Sequence, residues 1–129
     1  MLIRKYERKK DEDKLMNMIE AEEDWDYAEE HLADKYKQAL EACITYVAYE
    51  EDVLCGFSRS IDDFGFDMYV FDLLVDPRYR GKGIGRKLVE CLYEDYPDRV
   101  VYVMSDEDGY YKKVNYKRIG SIFEVPGPV

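Results

Sequence analysis

The sequence predicts an α/β domain of the mixed α+β kind, with a central mixed sheet and helices on both of its faces. Three observations support this class. Apolar residues recur with helical spacing in the first third of the chain, and short β-branched and aromatic runs follow. In the second half, strands and helices alternate, which is typical of layered α/β architectures. The 129 residues fit one domain spanning residues 1–129.

The first half of the chain begins with a short strand at residues 2–7, followed by two helices. The first helix starts at Asp11, where an acidic turn suits a helix N-terminus. Its face is marked by residues three and four apart, namely Leu15, Met18, Ile19 and Glu22. Trp25 and Asp26 interrupt this periodicity. The second helix carries Ala28, Leu32, Tyr36, Ala39 and Leu40 on one side.

From residue 44 onwards the spacing of apolar residues is that of strands. Residues 44–49 and 53–58 are predicted to form a hairpin around an acidic turn. The most apolar segment, residues 68–75, comes after a second turn. Its continuous hydrophobic character indicates a central strand, which Asp76 and Pro77 end.

The remaining elements alternate between helix and strand. A glycine-rich loop leads into a helix that ends at residues 96–98 and whose apolar face holds Ile84, Leu88, Cys91 and Leu92. Residues 99–104 then read as a strand, residues 106–114 as a short helix and residues 115–125 as the last strand. The predicted order is β-α-α-β-β-β-α-β-α-β.

The charge balance limits the partners of the chain. It has 29 Asp and Glu against 19 Lys and Arg, a net charge of −10. Nucleic acid and anionic membranes reward positive charge, so neither is expected as a partner. The acidity is compatible with a cationic substrate such as an amine or polyamine, and also with solubility alone.

Cysteine and histidine usage predicts a protein without a metal. Cys43, Cys55 and Cys91 lack the close spacing of a zinc or redox motif, and they read as small buried hydrophobes in a reducing compartment. His31 is the only histidine, which argues against a His-based metal site or a Ser-His-Asp triad. The absence of an apolar leader or membrane span predicts a cytoplasmic location.

The run Arg80–Gly85 (Arg-Gly-Lys-Gly-Ile-Gly) between the central strand and the next helix is the main functional signal. Glycines allow a phosphate to approach the backbone, and first-turn N–H groups point outward there. The cations Arg78, Arg80, Lys82, Arg86 and Lys87 reverse the acidic character of the chain locally. The run does not fit the dinucleotide fingerprint or a P-loop.

Arg80, Gly83 and Gly85 satisfy the pattern Arg-x-x-Gly-x-Gly. Residues 73–85 resemble the strand and pyrophosphate loop of the GNAT superfamily of N-acetyltransferases, densely over residues 69–92 and more loosely to about residue 118. The resemblance implies acetyl-CoA as co-substrate, held by Arg80, Gly81, Lys82, Gly83, Ile84 and Gly85. It also implies a sheet splayed between its middle strands, where main-chain atoms of Leu73, Leu74 and Val75 bind the pantetheine arm and acetyl oxygen.

The same resemblance suggests the groups that move protons. Tyr111 falls on the tyrosine that donates a proton to the departing thiolate, and Tyr110 is the competing candidate. Asn115 stands where the family usually has glycine, and asparagine tolerates a left-handed backbone. Asp72 is the first candidate for the base. Asp67 and Glu124 are the next candidates for the base. Some members of the family use no single residue as the base, so the identity of the base stays open.

The predicted function is transfer of an acetyl group to a primary amine of a small molecule or protein, by direct attack in a ternary complex. The acceptor should bind where the first helices and the loop after Asp62 meet the open edge of the splayed strands. Carboxylates cluster near the helix turn at Glu22, Glu23, Asp24, Asp26, Glu29 and Glu30, with Asp62 and Asp63 elsewhere in the sequence. Any that line the cleft would favour a cationic amine, although a charge run is usually a solvated face. A homodimer through the last strand stays open.

Two other classes of function are compatible with the sequence. The chain could be a non-catalytic CoA-binding sensor or interaction module that keeps the loop without turnover. It could also bind a nucleotide through the same loop. A rise in melting temperature with CoA but not with ATP would exclude the nucleotide.

Overall fold

The computed structural model describes residues 1–128. In chain order, its strands are β1 (Leu2–Lys5), β2 (Ile44–Glu50), β3 (Val53–Asp63), β4 (Asp67–Val75) and β5 (Val100–Val103). Its helices are α1 (Arg8–Glu20), α2 (Glu30–Ala42), α3 (Ile84–Glu90), α4 (Leu92–Asp95) and α5 (Asp108–Lys113), with a 3₁₀ turn at Pro77–Tyr79.

The five strands form one mixed sheet in the order β1-β2-β3-β4-β5. The pairs from β1 to β4 are antiparallel, and β4 pairs with β5 in parallel. The predicted class, a mixed sheet with helices on both faces, is therefore confirmed. β3 runs to Asp63, five residues beyond the predicted strand, because its last residues continue the ladder to β4.

Each face of the sheet has its own hydrophobic core. Helices α1 and α2 cover one face, where Leu15, Ile19 and Leu40 pack with Phe57. Helices α3 and α4 cover the other, where Ile84 and its neighbours Leu88 and Leu92 pack with Met68 and Val70. These are the positions that the helical periodicity indicates. Burial of each such side chain contributes about 1.5–3 kcal/mol to folding.

A buried carboxylate joins α1 to the sheet. Asp11 is fully buried and accepts two hydrogen bonds from Arg4, both of 2.8 Å. It also accepts from the Tyr49 hydroxyl and from the backbone N–H of Glu7, each at 2.7 Å. Four donors satisfy the carboxylate, which keeps a buried charge tolerable.

The sheet splays between β4 and β5. Their pairing runs from Asp67 opposite Val100 to Val70 opposite Val103, and stops there. On its other edge, β4 stays paired with β3 as far as Val75. Residues 71–75 therefore have no partner on the β5 side within residues 1–128, as the resemblance implies.

The predicted last strand, residues 115–125, is wrong. Within residues 116–128 the structure contains no helix or strand. Ile119, Ile122 and Phe123 are exposed, so no neighbouring strand or core buries them. Strand propensity depends on such partners, and Gly120 and the Pro-Gly-Pro end weaken it further.

Candidate active site

The loop between β4 and α3 has the backbone that a phosphate cradle needs. Gly81 has a φ of +82° and Gly83 a φ of +79°, a region that other residues rarely adopt. Apart from the adjacent residues of the chain, nothing lies within 4 Å of where a Cβ would stand on either residue. The first bond of α3 runs from the N–H of Lys87 to the carbonyl of Gly83, so earlier N–H groups lack a helical acceptor.

The cationic side chains of the loop have different partners. Arg80 donates from Nε to the carbonyl of Val75 at 2.9 Å, and its Nη2 lies 3.4 Å from the carboxylate of Glu22. Lys82 lies with its Nζ 5.3 Å from the centre of the Tyr79 ring. Arg80 is therefore held at the end of β4, beside the glycines.

Gly85 shows why a small residue is needed at the start of α3. A Cβ on this residue would lie 2.7 Å from the hydroxyl of Tyr110 on α5. The backbone N–H of Arg86 interacts with the same hydroxyl, while burial is the main cause of the raised pKa of Tyr110. Tyr110 thus packs α5 onto α3.

A cavity of about 290 Å³ lies between the α1–α2 connection, β4, the end of β5 and α5. Four carboxylates line it: Asp24, Asp26, Asp72 and Asp106. Four aromatic rings do so as well: Trp25, Tyr27, Phe71 and Tyr111. Leu73 and Met104 complete the wall. The structure therefore brings Asp72, Leu73 and Tyr111, three of the predicted site residues, to one cavity.

The unpaired part of β4 forms one wall of this cavity. Leu73 lies along it, with its side chain packed into the core under α3. Leu74 is buried on the opposite face, against the core of α1 and α2. The Val75 carbonyl accepts from Arg80. The side chains of Leu73 and Leu74 therefore pack in the two cores. The main-chain atoms of this part of β4 are left without a β5 partner on the cavity side.

Tyr111 presents a phenol to the cavity. Its ring packs on that of Tyr116, with centroids 5.9 Å apart, and edge-on against Tyr110 at 5.0 Å. Burial, assisted by Tyr110 and Asp106, raises the pKa of Tyr111 to about 12. Its hydroxyl makes no hydrogen bond within residues 1–128. The phenol is thus protonated at neutral pH and has a proton to donate.

The turn after α5 holds Tyr111 in this position. Asn115 has a φ of +66°, so the prediction that asparagine takes the left-handed conformation is confirmed. The N–H of Asn115 donates to the carbonyl of Lys112 at 3.1 Å, and the N–H of Tyr116 donates to that of Tyr111 at 3.0 Å. This turn brings the Tyr116 ring back over Tyr111.

Asp72 is 7% exposed and belongs to a buried polar network. Its Oδ2 accepts from Nε of Arg59 at 2.6 Å and from the hydroxyl of Tyr36 at 2.7 Å. Burial, and then Asp72, raise the pKa of the Tyr36 phenol well above its usual value. Its partners Arg59 and Tyr36 carry no sequence motif and were missed, because their pairing depends on the sheet register and on α2.

The two further candidates for the base lie elsewhere. Asp67 begins β4, at the end that pairs with Val100. At about 3.3 Å per residue, it lies some 20 Å along the strand from Leu73. Glu124 lies in the exposed segment after α5. Neither lines the cavity.

The predicted acidic residues lie in different places, and the loop after Asp62 does not line the cavity. Asp24 and Asp26 line the cavity, whereas Glu22 faces Arg80. Asp62 pairs with Arg99 at 2.8 Å, away from the cavity. Trp25 contacts both the cavity and the ring of Phe57, 6.0 Å away. Asp106 was missed, since its loop after β5 gives no local signal.

Residues 12–115 match the Acetyltransferase (GNAT) family. Because this match covers most of the chain, the chain belongs to the GNAT family of acetyltransferases. It is 44% identical over 43 residues to GCN5-related N-acetyltransferase 2, chloroplastic, of Arabidopsis thaliana, which is 33% of this chain and 17% of that protein. The chain spans less than half the length of the curated relatives it matches.

Solved structures agree with this fold. Aminoglycoside 6′-acetyltransferase type Ii superposes with a TM-score of 0.77 at 21% identity, over 93% of this chain and 85% of that one. PaiA N-acetyltransferase from Thermoplasma acidophilum, in complex with coenzyme A, superposes with a TM-score of 0.66 at 18% identity, over 88% of this chain and 86% of that one. At these identities the likeness is one of fold.

None of the helices in residues 1–128 is long and apolar enough to span a membrane. Within the same residues, His, Cys, Asp and Glu side chains form no group of three or more that could hold a metal ion.

Proposed function

We propose that this chain transfers the acetyl group of acetyl-CoA to a primary amine by direct attack in a ternary complex. The observation that carries the proposal is one cavity that joins the unpaired backbone of β4 to the free hydroxyl of Tyr111. A donor thioester and a proton donor are the two things that the reaction needs side by side.

Acetyl-CoA fits the loop because the space above Gly81 and Gly83 is open and a Cβ there would reduce it. We assign the diphosphate to Arg80–Gly85 and the pantetheine arm to main-chain atoms of Leu73, Leu74 and Val75. When bound, the co-substrate supplies an activated acetyl thioester. Backbone donors aimed at its oxygen would lower the barrier by about 3 kcal/mol.

Tyr111 is assigned as the acid. Its raised pKa keeps the phenol protonated, and its hydroxyl has no competing partner. In the net reaction the amine nitrogen bonds to the acetyl carbon, the carbon–sulfur bond breaks, and one proton passes from the amine to the sulfur. Tyr111 supplies the proton that the sulfur takes, and solvent restores it.

Asp72 is assigned as the group that receives the amine proton, directly or through water. Arg59 and Tyr36 hold its Oδ2. Its Oδ1 accepts no side-chain hydrogen bond within residues 1–128 and belongs to a residue on the cavity wall. The ion pair fixes the carboxylate in place and leaves one oxygen for the acceptor.

Direct transfer requires no acyl-enzyme, and the chain offers a poor nucleophile for one. Burial raises the pKa of Cys91 to about 12, and its thiol donates to the carbonyl of Leu88 at 3.3 Å. A protonated thiol bonded within its own helix does not attack a thioester.

The test is acetyl transfer itself. The purified chain is incubated with acetyl-CoA and a panel of small amines and of peptides with free amino termini. The amount of acetylated product, measured by mass spectrometry, is compared with the amount of free CoA thiol released. One acetylated amine per thiol supports the proposal. CoA binding without any acetylated product over the whole panel would favour a sensor module instead.

A further inference from the structure

The cavity wall carries an excess of negative charge. Four of its ten residues are aspartates, and none is lysine, arginine or histidine. Arg59 neutralises Asp72 from behind the wall. The other three, Asp24, Asp26 and Asp106, take part in none of the ion pairs formed within residues 1–128. Three exposed aspartates without an ion-pair partner within residues 1–128 therefore line the space next to Tyr111.

The carboxylates come from two separate parts of the fold. Asp24 and Asp26 lie on the α1–α2 connection, and Asp106 follows β5. They face a ligand in the cavity from two sides, unlike a run of charge along one helix. A cationic ligand between these two sides would be attracted to all three carboxylates, whereas an anionic ligand would be repelled by them.

The aromatic rings and the size of the cavity restrict what this cation can be. Trp25, Tyr27 and Phe71 line the same space, and ring faces attract ammonium groups. A cavity of about 290 Å³ lies at the lower end of ligand sites. It suits a short aliphatic chain better than a multi-ring compound.

We propose that the acceptor is a small aliphatic amine with a second ammonium group, such as a diamine or the end of a polyamine. This rests on the proposed acetyl transfer. One nitrogen must lose its proton before it attacks the acetyl carbon, so its own charge cannot hold it during the reaction. The second nitrogen keeps its charge, and the carboxylates of Asp24, Asp26 and Asp106 hold it throughout.

The protons and bonds balance in this scheme. The reacting ammonium gives one proton to Asp72 or water, its nitrogen bonds to the acetyl carbon, and the second proton on that nitrogen then passes to solvent. The carbon–sulfur bond breaks, the sulfur takes a proton from Tyr111, and solvent returns a proton to the phenolate, so that one proton is released overall. The products are a mono-acetylated diamine, which retains one ammonium, and free CoA.

The experiment compares 1,4-diaminobutane with butylamine, which has the same chain length and one nitrogen. The quantity is the ratio of their kcat/KM values in wild type and in the triple variant Asp24→Asn, Asp26→Asn, Asp106→Asn. Differences in amine basicity cancel when this ratio is compared between proteins. Glu23→Gln is the control, an exposed carboxylate beside Asp24 that does not line the cavity.

We expect the wild-type ratio to fall about 30-fold in the triple variant, from about threefold for each of the three exposed carboxylates. Glu23→Gln should leave it unchanged. Calorimetry gives a readout without turnover: 1,4-diaminobutane should bind the CoA-bound protein about 30-fold more weakly in the triple variant, with CoA affinity preserved. Should the triple variant misfold, the single variants Asp26→Asn and Asp106→Asn should each lower the ratio about threefold.

The failures of the two proposals can be distinguished. Equal acetylation of both amines, with a ratio that the aspartate variants do not change, overturns the diamine inference and leaves acetyl transfer intact. No acetylation of either amine or of the wider panel overturns both. A ratio that falls equally in Glu23→Gln would show a general effect of net charge and would also refute the inference.

Discussion

The contact between Gly85 and Tyr110 allows the packing of the loop against α5 to be tested quantitatively. In wild type, a Cβ at residue 85 would lie 2.7 Å from the Tyr110 hydroxyl, and the ring would have to retreat by about 0.7 Å to reach ordinary contact. Overpacking of this kind destabilises by about 1–3 kcal/mol. Alanine in a helix gains up to about 1 kcal/mol over glycine, so Gly85→Ala should reduce stability by roughly 0–2 kcal/mol.

Removal of the hydroxyl should reverse this result. In Tyr110→Phe, the nearest remaining atoms to the new Cβ are ring Cζ at 3.5 Å and Cδ2 of Leu73 at 3.6 Å, both ordinary contacts. Gly85→Ala should then be neutral or stabilising. The coupling between the two substitutions should therefore be about 1–3 kcal/mol.

Urea denaturation of the four proteins measures this coupling. Gly120→Ala, in both backgrounds, is the control because nothing lies within 4 Å of its Cβ position. A Gly85→Ala change in unfolding free energy that is the same with and without the hydroxyl would refute the close approach of α5 to α3.

Two further predictions concern the anchoring of α1 and the loop. Asp11→Ala should lower the free energy of unfolding by about 3 kcal/mol, since it leaves buried donors unpaired; exposed Asp13→Ala should change it little. Burial opposes ionisation of Asp11, but hydrogen bonds from Arg4 and others hold its pKa below the usual value. The stability that the Asp11 carboxylate contributes to the folded protein is therefore present above about pH 4. It is lost as the pH falls through the pKa of Asp11 in the folded state. A denaturation midpoint with the same acid dependence in Asp11→Ala would contradict this. Gly83→Ala places an alanine in the left-handed conformation, which costs about 1–2 kcal/mol, and its methyl group occupies space in the open loop. Calorimetry should therefore show CoA affinity at least tenfold weaker. An unchanged affinity would place the diphosphate elsewhere.

The parts of the fold that sequence predicted well are those determined locally. The loop of Gly81 and Gly83 and the central strand β4 are encoded in adjacent residues, as is the left-handed turn at Asn115. Helical periodicity likewise identified Leu15 and Leu88 as core. In each case steric preference or burial acts within a few residues of chain.

The parts that sequence missed depend on distant partners. The Arg59–Asp72 pair requires β3 and β4 to align in one register, and Asp106 reaches the cavity only because β5 ends beside β4. Residues 115–125 have strand-like composition but no neighbouring edge in this fold. Propensity without a partner was an insufficient basis for predicting that strand.

We infer that acetyl transfer occurs in the cavity at Tyr111. The direct measurement is the kcat of Tyr111→Phe against Tyr110→Phe, adjacent phenols of which only Tyr111 lines the cavity, with CoA affinity measured for both. We expect Tyr111→Phe to lower kcat roughly 10²-fold, as loss of a general acid does, with CoA affinity unchanged. Tyr110→Phe should keep most of the activity. The reverse order, or equal rates in both variants, would contradict this inference.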